Sequence, residues 1–265
     1  MTRKLVLLAF CIALLASCKN KEKQTPVEPK ENWVKLFNGK DLNDWIIKIK
    51  GHAAGDNYNN TFIVENGALK VNYENYKDTF NDTFGHIYYK KPFSNYRFRM
   101  DYRFTGNQLS DGADWANRNS GIMLHCEDPN NIGLDQNFPV SIEVQLLGGN
   151  GVDERTTANL CTPGTNVEMD GELKTAHCIS SASKTYHGEQ WVHVEVEVRN
   201  DSIIKHFING EEVIRYYKPQ YGGGNINHNM EYWKSLEGQP LKSGYISLQS
   251  ESHPVEFKNI EILEL

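Results

Sequence analysis

The sequence predicts an all-β protein, a two-sheet jelly-roll sandwich. Apolar and polar residues alternate with period two along most of the chain, and no 3.6-residue period persists over ten residues beyond the N-terminal segment. Asn-Gly pairs stand between short apolar runs, the strongest local signal for a two-residue hairpin. The 265 residues include 27 Asn, 21 Gly, 13 Tyr and 11 Phe, turn formers and strand formers in quantity.

The elements follow in order. Arg3 and Lys4 precede an apolar run over residues 5–16, too short to span a bilayer as a mature helix. The run ends in Leu15-Ala16-Ser17-Cys18, which resembles the lipobox of bacterial lipoproteins. That resemblance implies a signal peptide over residues 1–17 and a mature chain starting at a lipidated Cys18. Acyl chains on Cys18 are sufficient to hold a protein at a membrane. Residues 18–31 are polar, contain Pro26 and Pro29, and read as a flexible tether. Residues 32–265 hold one hydrophobic pattern with no internal linker and are expected to form a single domain.

Within that domain Phe62-Ile63-Val64-Glu65 and Ala68-Leu69-Lys70-Val71 flank Asn66-Gly67. Tyr96, Phe98, Met100, Tyr102 and Phe104 alternate with Arg97, Arg99, Asp101 and Arg103, a strand with one apolar and one charged face. Asn119–His125 and Ser141–Gly148 are two further strands. Val192, Val194, Val196 and Val198 alternate with polar residues, and 203–208 and 213–216 flank Asn209-Gly210. Residues 244–250 and 255–265 are expected to close the sheet as a pair. Segments 150–187 and 218–242 resist strand assignment, apart from a short helix near 230–236. Long connections of this kind are usually functional or disordered.

Of five Cys, Cys11 leaves with the signal and Cys18 carries lipid. Cys126, Cys161 and Cys178 allow one bridge in three pairings. Cys161–Cys178 is favoured because it staples the long loop between them, a closure of about 3 kcal/mol in the chain-entropy model. Cys126 then reads as a buried small residue. Lys+Arg 28 against Asp+Glu 34 gives a net charge of −6, which argues against a nucleic-acid partner. The chain carries no HExxH, GxSxG, CxxC, P-loop or GxGxxG pattern. Nine His leave a metal site assembled in space open.

The most informative stretch is 141–148. Ile142, Val144 and Leu146 point one way, and Ser141, Glu143 and Gln145 the other. Asn119, Gly121, Met123 and His125 likewise share a face. Two such polar faces are either ordinary solvated strand surfaces or the floor of a binding groove. Glu143 has no carboxylate neighbour on its own strand, so the paired-carboxylate mechanism of retaining glycosidases needs a second acid, such as Asp114 or Glu251, from elsewhere.

Several segments together resemble the 3-keto-disaccharide hydrolase domain family. They are Trp33-Val34-Lys35-Leu36-Phe37-Asn38-Gly39-Lys40-Asp41-Leu42-Asn43-Asp44-Trp45, Asn119-Ser120-Gly121-Ile122, Ile142-Glu143-Val144-Gln145, His206-Phe207-Ile208-Asn209-Gly210, and Gly244-Tyr245-Ile246-Ser247-Leu248-Gln249 with Phe257-Lys258-Asn259-Ile260. They occur in family order across residues 33–265. The excursion from Cys161-Thr162-Pro163-Gly164 to His177-Cys178 departs from the common pattern. The resemblance implies a jelly roll of the concanavalin A-like lectin and glucanase type. It also implies action on sugars oxidised to a ketone at C3, and a substrate that is an oxidised oligosaccharide or glycoside. Family members are often lipoproteins, which with Cys18 points to a lipid-anchored protein of the bacterial cell envelope. The lack of Asp after Cys18 points to the outer membrane.

Such a reaction is expected to use Glu143 and His125 as base, acid or metal ligand, with a divalent cation as a possible aid. Gln145 and Gln249 are expected to hold sugar hydroxyls beside Asn119. Trp115 and Arg118 are candidates for the rim, and Glu251 and His253 for the last connecting loop. His206 is carried as a sugar-binding candidate, although its alternation with Ile204 and Ile208 is a core-facing pattern. His177 and His187 could reach the groove as a lid. The alternatives are a lectin-like protein binding sugar on the same face and a conventional glycoside hydrolase.

Overall fold

The structure is a computed structural model and describes residues 31–265. The signal peptide, Cys18 and the tether up to residue 30 lie outside the described residues. From Asn32 to Leu265 the chain forms one compact unit. No helix among the described residues is long and apolar enough to cross a membrane.

In chain order the strands are β1 (Val34–Lys35), β2 (Trp45–Ile49), β3 (Phe62–Glu65), β4 (Ala68–Val71), β5 (Gly85–Tyr89), β6 (Asn95–Phe104), β7 (Asn119–Cys126), β8 (Ile142–Leu147), β9 (Asn159–Cys161), β10 (Thr165–Met169), β11 (Glu172–Lys174), β12 (Cys178–Ile179), β13 (Val192–Arg199), β14 (Ile203–Ile208), β15 (Glu211–Tyr221), β16 (Tyr245–Ser250) and β17 (Val255–Glu264). Among the described residues one short α-helix, α1, spans Met230–Ser235, beside three single turns of 3-10 helix. All pairings between these strands are antiparallel. One sheet runs β11-β10-β15-β14-β13-β6-β17-β4-β3, with β1 beside β17, and the other runs β12-β9-β8-β7-β16-β5-β2. This is the expected two-sheet sandwich.

Local chemistry explains the elements. The Asn66-Gly67 and Asn209-Gly210 turns have both residues at positive φ (51° and 78°, 50° and 85°), as a type I′ hairpin turn requires. The alternating strands put their apolar faces together. Tyr96, Phe98, Met100 and Tyr102 of β6 and the four valines of β13 are buried, and so are Ile122 of β7, Ile142, Val144 and Leu146 of β8, and Leu248 of β16. Each fully buried side chain of this size contributes about 1.5–3 kcal/mol relative to exposure. On the opposite face of the larger sheet Arg97, Arg99 and Arg103 pair with Glu195, Glu261 and Glu256.

Two expectations are corrected. Segment 150–187 is not a structureless loop, because it contributes β9 to β12 to the ends of both sheets. The closing strands do not pair with each other. β16 lies between β5 and β7 in the smaller sheet, whereas β17 lies between β6 and β4 in the larger. The connection 251–254 therefore crosses from one sheet to the other. The Cys161–Cys178 disulfide is present and links the paired strands β9 and β12, while Cys126 is free and buried.

Candidate active site

The site lies on the face of the smaller sheet turned away from the core. Because side chains alternate along each strand, residues on this face form rows across the sheet. One row runs Cys161, Glu143, Met123, Ser247, Tyr88, Ile46. In the next row Asn159, Gln145 and Gly121 are neighbours, and beyond them Gln249, His86 and Lys48. Loops bury most of this face. Ile132 packs on Tyr88, Met123 and Cys126, and Lys48 Nζ donates to Leu134 O at 3.2 Å.

A cavity of about 320 Å³ remains over the Glu143 end, within the roughly 300–1,000 Å³ of small-molecule sites. Glu143, Gln145 and Asn119 form its floor, and Glu251 enters from the crossover after β16. Trp115 and Phe138 form one side. Pro163, His177 and both sulfur-bearing residues of the disulfide form another, with Asn225 from the β15–β16 connection. Trp115 is 52% exposed and stacks on Phe84 with the rings 6.1 Å apart. A wider cleft of about 720 Å³ adjoins it, sharing Trp115 and Gln145 and adding Asp114, Asp153, Glu154 and Arg155.

Glu143 is 7% exposed and Glu251 3%. Burial pushes both carboxyls well above their ordinary range, and the negative charge of Glu143 pushes Glu251 further. Two such groups resist ionising together, because full ionisation would place like charges side by side in a largely buried site. Gly121 makes room for this arrangement, since a Cβ there would stand 2.7 Å from Glu143 Oε1. Glu251 is aimed by its neighbour, Ser252, whose N–H donates to Tyr73 OH at 2.9 Å and whose carbonyl accepts from Leu109 N at 3.0 Å. Several buried polar atoms here have no partner within the protein: Glu251 Oε2, Asn119 Oδ1 and both amide atoms of Gln249. Unpaired buried polar groups are costly and are normally satisfied by water or ligand.

The structure thus brings together Glu143, Gln145, Asn119, Trp115 and Glu251, with His177 in the wall and Gln249 on the same face. It does not bring His125 to them. The β7–β16 register shifts between Tyr245 and Ser247, placing an extra residue in β7. His125 sits at this bulge with φ 48°. Its ring turns inward, edge-on to Tyr96, and Nε2 meets Asn200 O at 3.1 Å. Burial lowers its pKa to about 4, so it is neutral. His206 is also in the core, bonded to Ala158 O at 2.8 Å and Tyr216 OH at 2.7 Å.

Arg118 and His253 stand behind the cavity around Phe104 rather than in its lining. Arg118 donates to Gly188 O, and His187 bonds Gly151 N at 3.0 Å without reaching the cavity. Asp114 lines only the adjoining cleft. His86 and Lys48, on the same sheet face, were missed by the sequence reading, although the alternation of 85–89 would have put His86 there. Phe138, Pro163 and Asn225 come from connecting loops and carry no local signal. Among the described residues no three His, Cys, Asp or Glu side chains converge as a metal-binding group.

A family model, the 3-keto-alpha-glucoside-1,2-lyase-like domain, matches residues 32–263. The chain belongs to this family. Two solved structures from Parabacteroides distasonis ATCC 8503, each described as a "putative glycosyl hydrolase", share the sandwich fold of the lyase-like domain. One is 20% identical, with 88% of this chain and 94% of that chain covered and a TM-score of 0.52. The other is 17% identical, covering 88% and 100%, with a TM-score of 0.50. The carbohydrate-binding module CBM66 of Bacillus subtilis is also similar, at 11% identity, 85% and 98% coverage and a TM-score of 0.47. No curated protein matches this chain significantly.

Proposed function

We propose that this protein cleaves 3-keto-glycosides by elimination, with Glu143 and Glu251 as the acid–base pair. The observation that carries the reading is two buried carboxyls, both raised, facing one cavity of sugar size. A ketone at C3 acidifies the proton on C2. Ionised Glu143 takes that proton, and the C–H electrons form the enolate C2=C3–O⁻. The enolate collapses, restoring the ketone and forming C1=C2 as the C1–O bond breaks. Glu251, protonated, gives its proton to the departing oxygen. The amide N–H group of Gln145, in the cavity floor, is the donor suited to the enolate oxygen, whereas Gln249 lies on the same sheet face outside the lining. Water added across C1=C2 returns the free 3-keto sugar, a net hydrolysis. General acid–base groups of this kind are each worth about 10²–10⁴ in rate.

The second carboxyl also favours a conventional retaining glycosidase, and one experiment separates the two. Turnover of a 4-nitrophenyl 3-keto-glucoside is compared with that of the unoxidised glucoside. Elimination predicts release from the keto substrate alone and a loss of about 10²-fold or more in Glu143→Gln. It also predicts that Glu251→Gln retains most activity on the nitrophenyl leaving group, which needs no proton, and loses it on a sugar leaving group. Comparable release from the unoxidised glucoside overturns elimination, and full activity in Glu143→Gln overturns the site.

A further inference from the structure

We propose a second binding site, distinct from the carboxylate cavity, in the cleft between α1 and the ends of β7, β15 and β16, and we assign it to an amino sugar carrying a free ammonium group. The cleft has a volume of about 460 Å³ and shares no lining residue with the Glu143 cavity. Four aromatic residues line it: Tyr221, Tyr232, Trp233 and Tyr245. Tyr221 and Trp233 stack with centroids 5.8 Å apart, and Tyr232 meets Trp233 edge-on at 4.8 Å. Tyr232 is 56% exposed and leaves an aromatic side chain at the mouth.

The polar groups complete the pattern. Glu127 and Asp128 line the same cleft, and no Lys or Arg does. Glu127 is held in place, with Oε1 accepting from Val140 N at 2.8 Å. Burial raises its pKa to about 7, and a cation beside it would favour its charged form. Trp233 Nε1 is buried and has no partner.

Electron-rich rings and unneutralised carboxylates attract an organic cation. A hexosamine supplies both complements in one molecule: an ammonium for the carboxylates and a C–H face for the rings. A neutral sugar leaves the carboxylates unmatched, and an acidic sugar meets like charge.

The test is calorimetric titration of the whole protein with glucosamine, glucose, N-acetylglucosamine and glucuronate. Glucosamine is expected to bind saturably, and the other three about ten-fold or more weaker. Tyr232→Ala, Trp233→Ala and Glu127→Gln are each expected to weaken glucosamine binding several-fold. The glutamine retains an acceptor for Val140, and Tyr232 lies at the surface, so these two variants remain informative if Trp233→Ala fails to fold. Glucosamine binding is expected to persist in Glu143→Gln, whether or not that variant is active. Absence of saturable binding overturns the proposal. So does binding of glucose as tight as that of glucosamine, binding indifferent to all three variants, or binding lost in Glu143→Gln.

Discussion

At the scale of single residues, the pair of buried carboxyls ties chemistry to stability. A carboxyl whose folded pKa lies above its unfolded one binds its proton more tightly in the folded state. Its contribution is therefore greatest at low pH and is lost as pH rises from the ordinary value of 4.5 toward the raised folded value. Glu143→Gln copies the protonated form and has no charge to desolvate. Its melting temperature is expected to match that of the wild type near about pH 5 and to exceed it by a few degrees near about pH 8.5. Thermal unfolding of both proteins at the two pH values checks this, and a gap that shrinks as pH rises would count against the burial. Glu143 and Gln145 were legible in the sequence because β8 alternates without interruption. His125 was not, because one additional residue in β7 reverses the side on which a side chain emerges, and nothing in Leu124-His125-Cys126 announces a bulge. Glu251 was visible as a residue but not as a partner of Glu143, since their meeting depends on the chain changing sheets after Ser250.

At the scale of elements, the disulfide reinforces the hold of β12 and His177 on the cavity wall, beside the bond from Thr162 N to His177 O at 2.8 Å. β12 has two residues and pairs only with β9, in a register that sets Cys178 opposite Cys161. Two residues of ladder are a short hold on an edge, so the disulfide strengthens the wall of the cavity as well as bridging a sequence separation of 17. Its removal in a Cys161→Ser, Cys178→Ser protein is expected to cost about 3 kcal/mol of stability and to raise KM more than it lowers kcat, because neither carboxyl sits on β12. Denaturant melts and steady-state kinetics, with the wild type under reductant as a parallel arm, measure both effects. Equal stability with and without the bond would overturn the role. The hairpins at Asn66-Gly67 and Asn209-Gly210 were readable to the residue, since turn chemistry is local. The strands within 150–187 were not, being two to five residues long and defined by their partners rather than by their own pattern.

At the scale of the molecule, charge around the cavity sets what can enter. Glu143 and Glu251 occupy it, and Asp114, Asp153 and Glu154 line the adjoining cleft. The one cation there, Arg155, is engaged by the carbonyls of Gly148 at 3.0 Å and Trp115 at 3.2 Å, and by that of Asn117. A glycoside bearing a carboxylate at C6 is expected to bind at least about ten-fold more weakly than its neutral counterpart. Added salt should narrow the gap only in part, since buried charges are poorly screened. Competition between the two glycosides measures it, and equal affinity would mean that Arg155 is free to serve the ligand. The sandwich class was legible from periodicity and composition, which are global properties. The two cavities were not, because they are made by loops that meet only after the layers have stacked.

The crossover at 251–254 has one more consequence. Glu143 is carried by one layer, whereas Glu251 is aimed from a span whose next strand belongs to the other. The two acids therefore meet only in a molecule whose halves have both closed. Under the proposed function, half-folded copies would be chemically silent, and the first turnover would report that the last strand has docked.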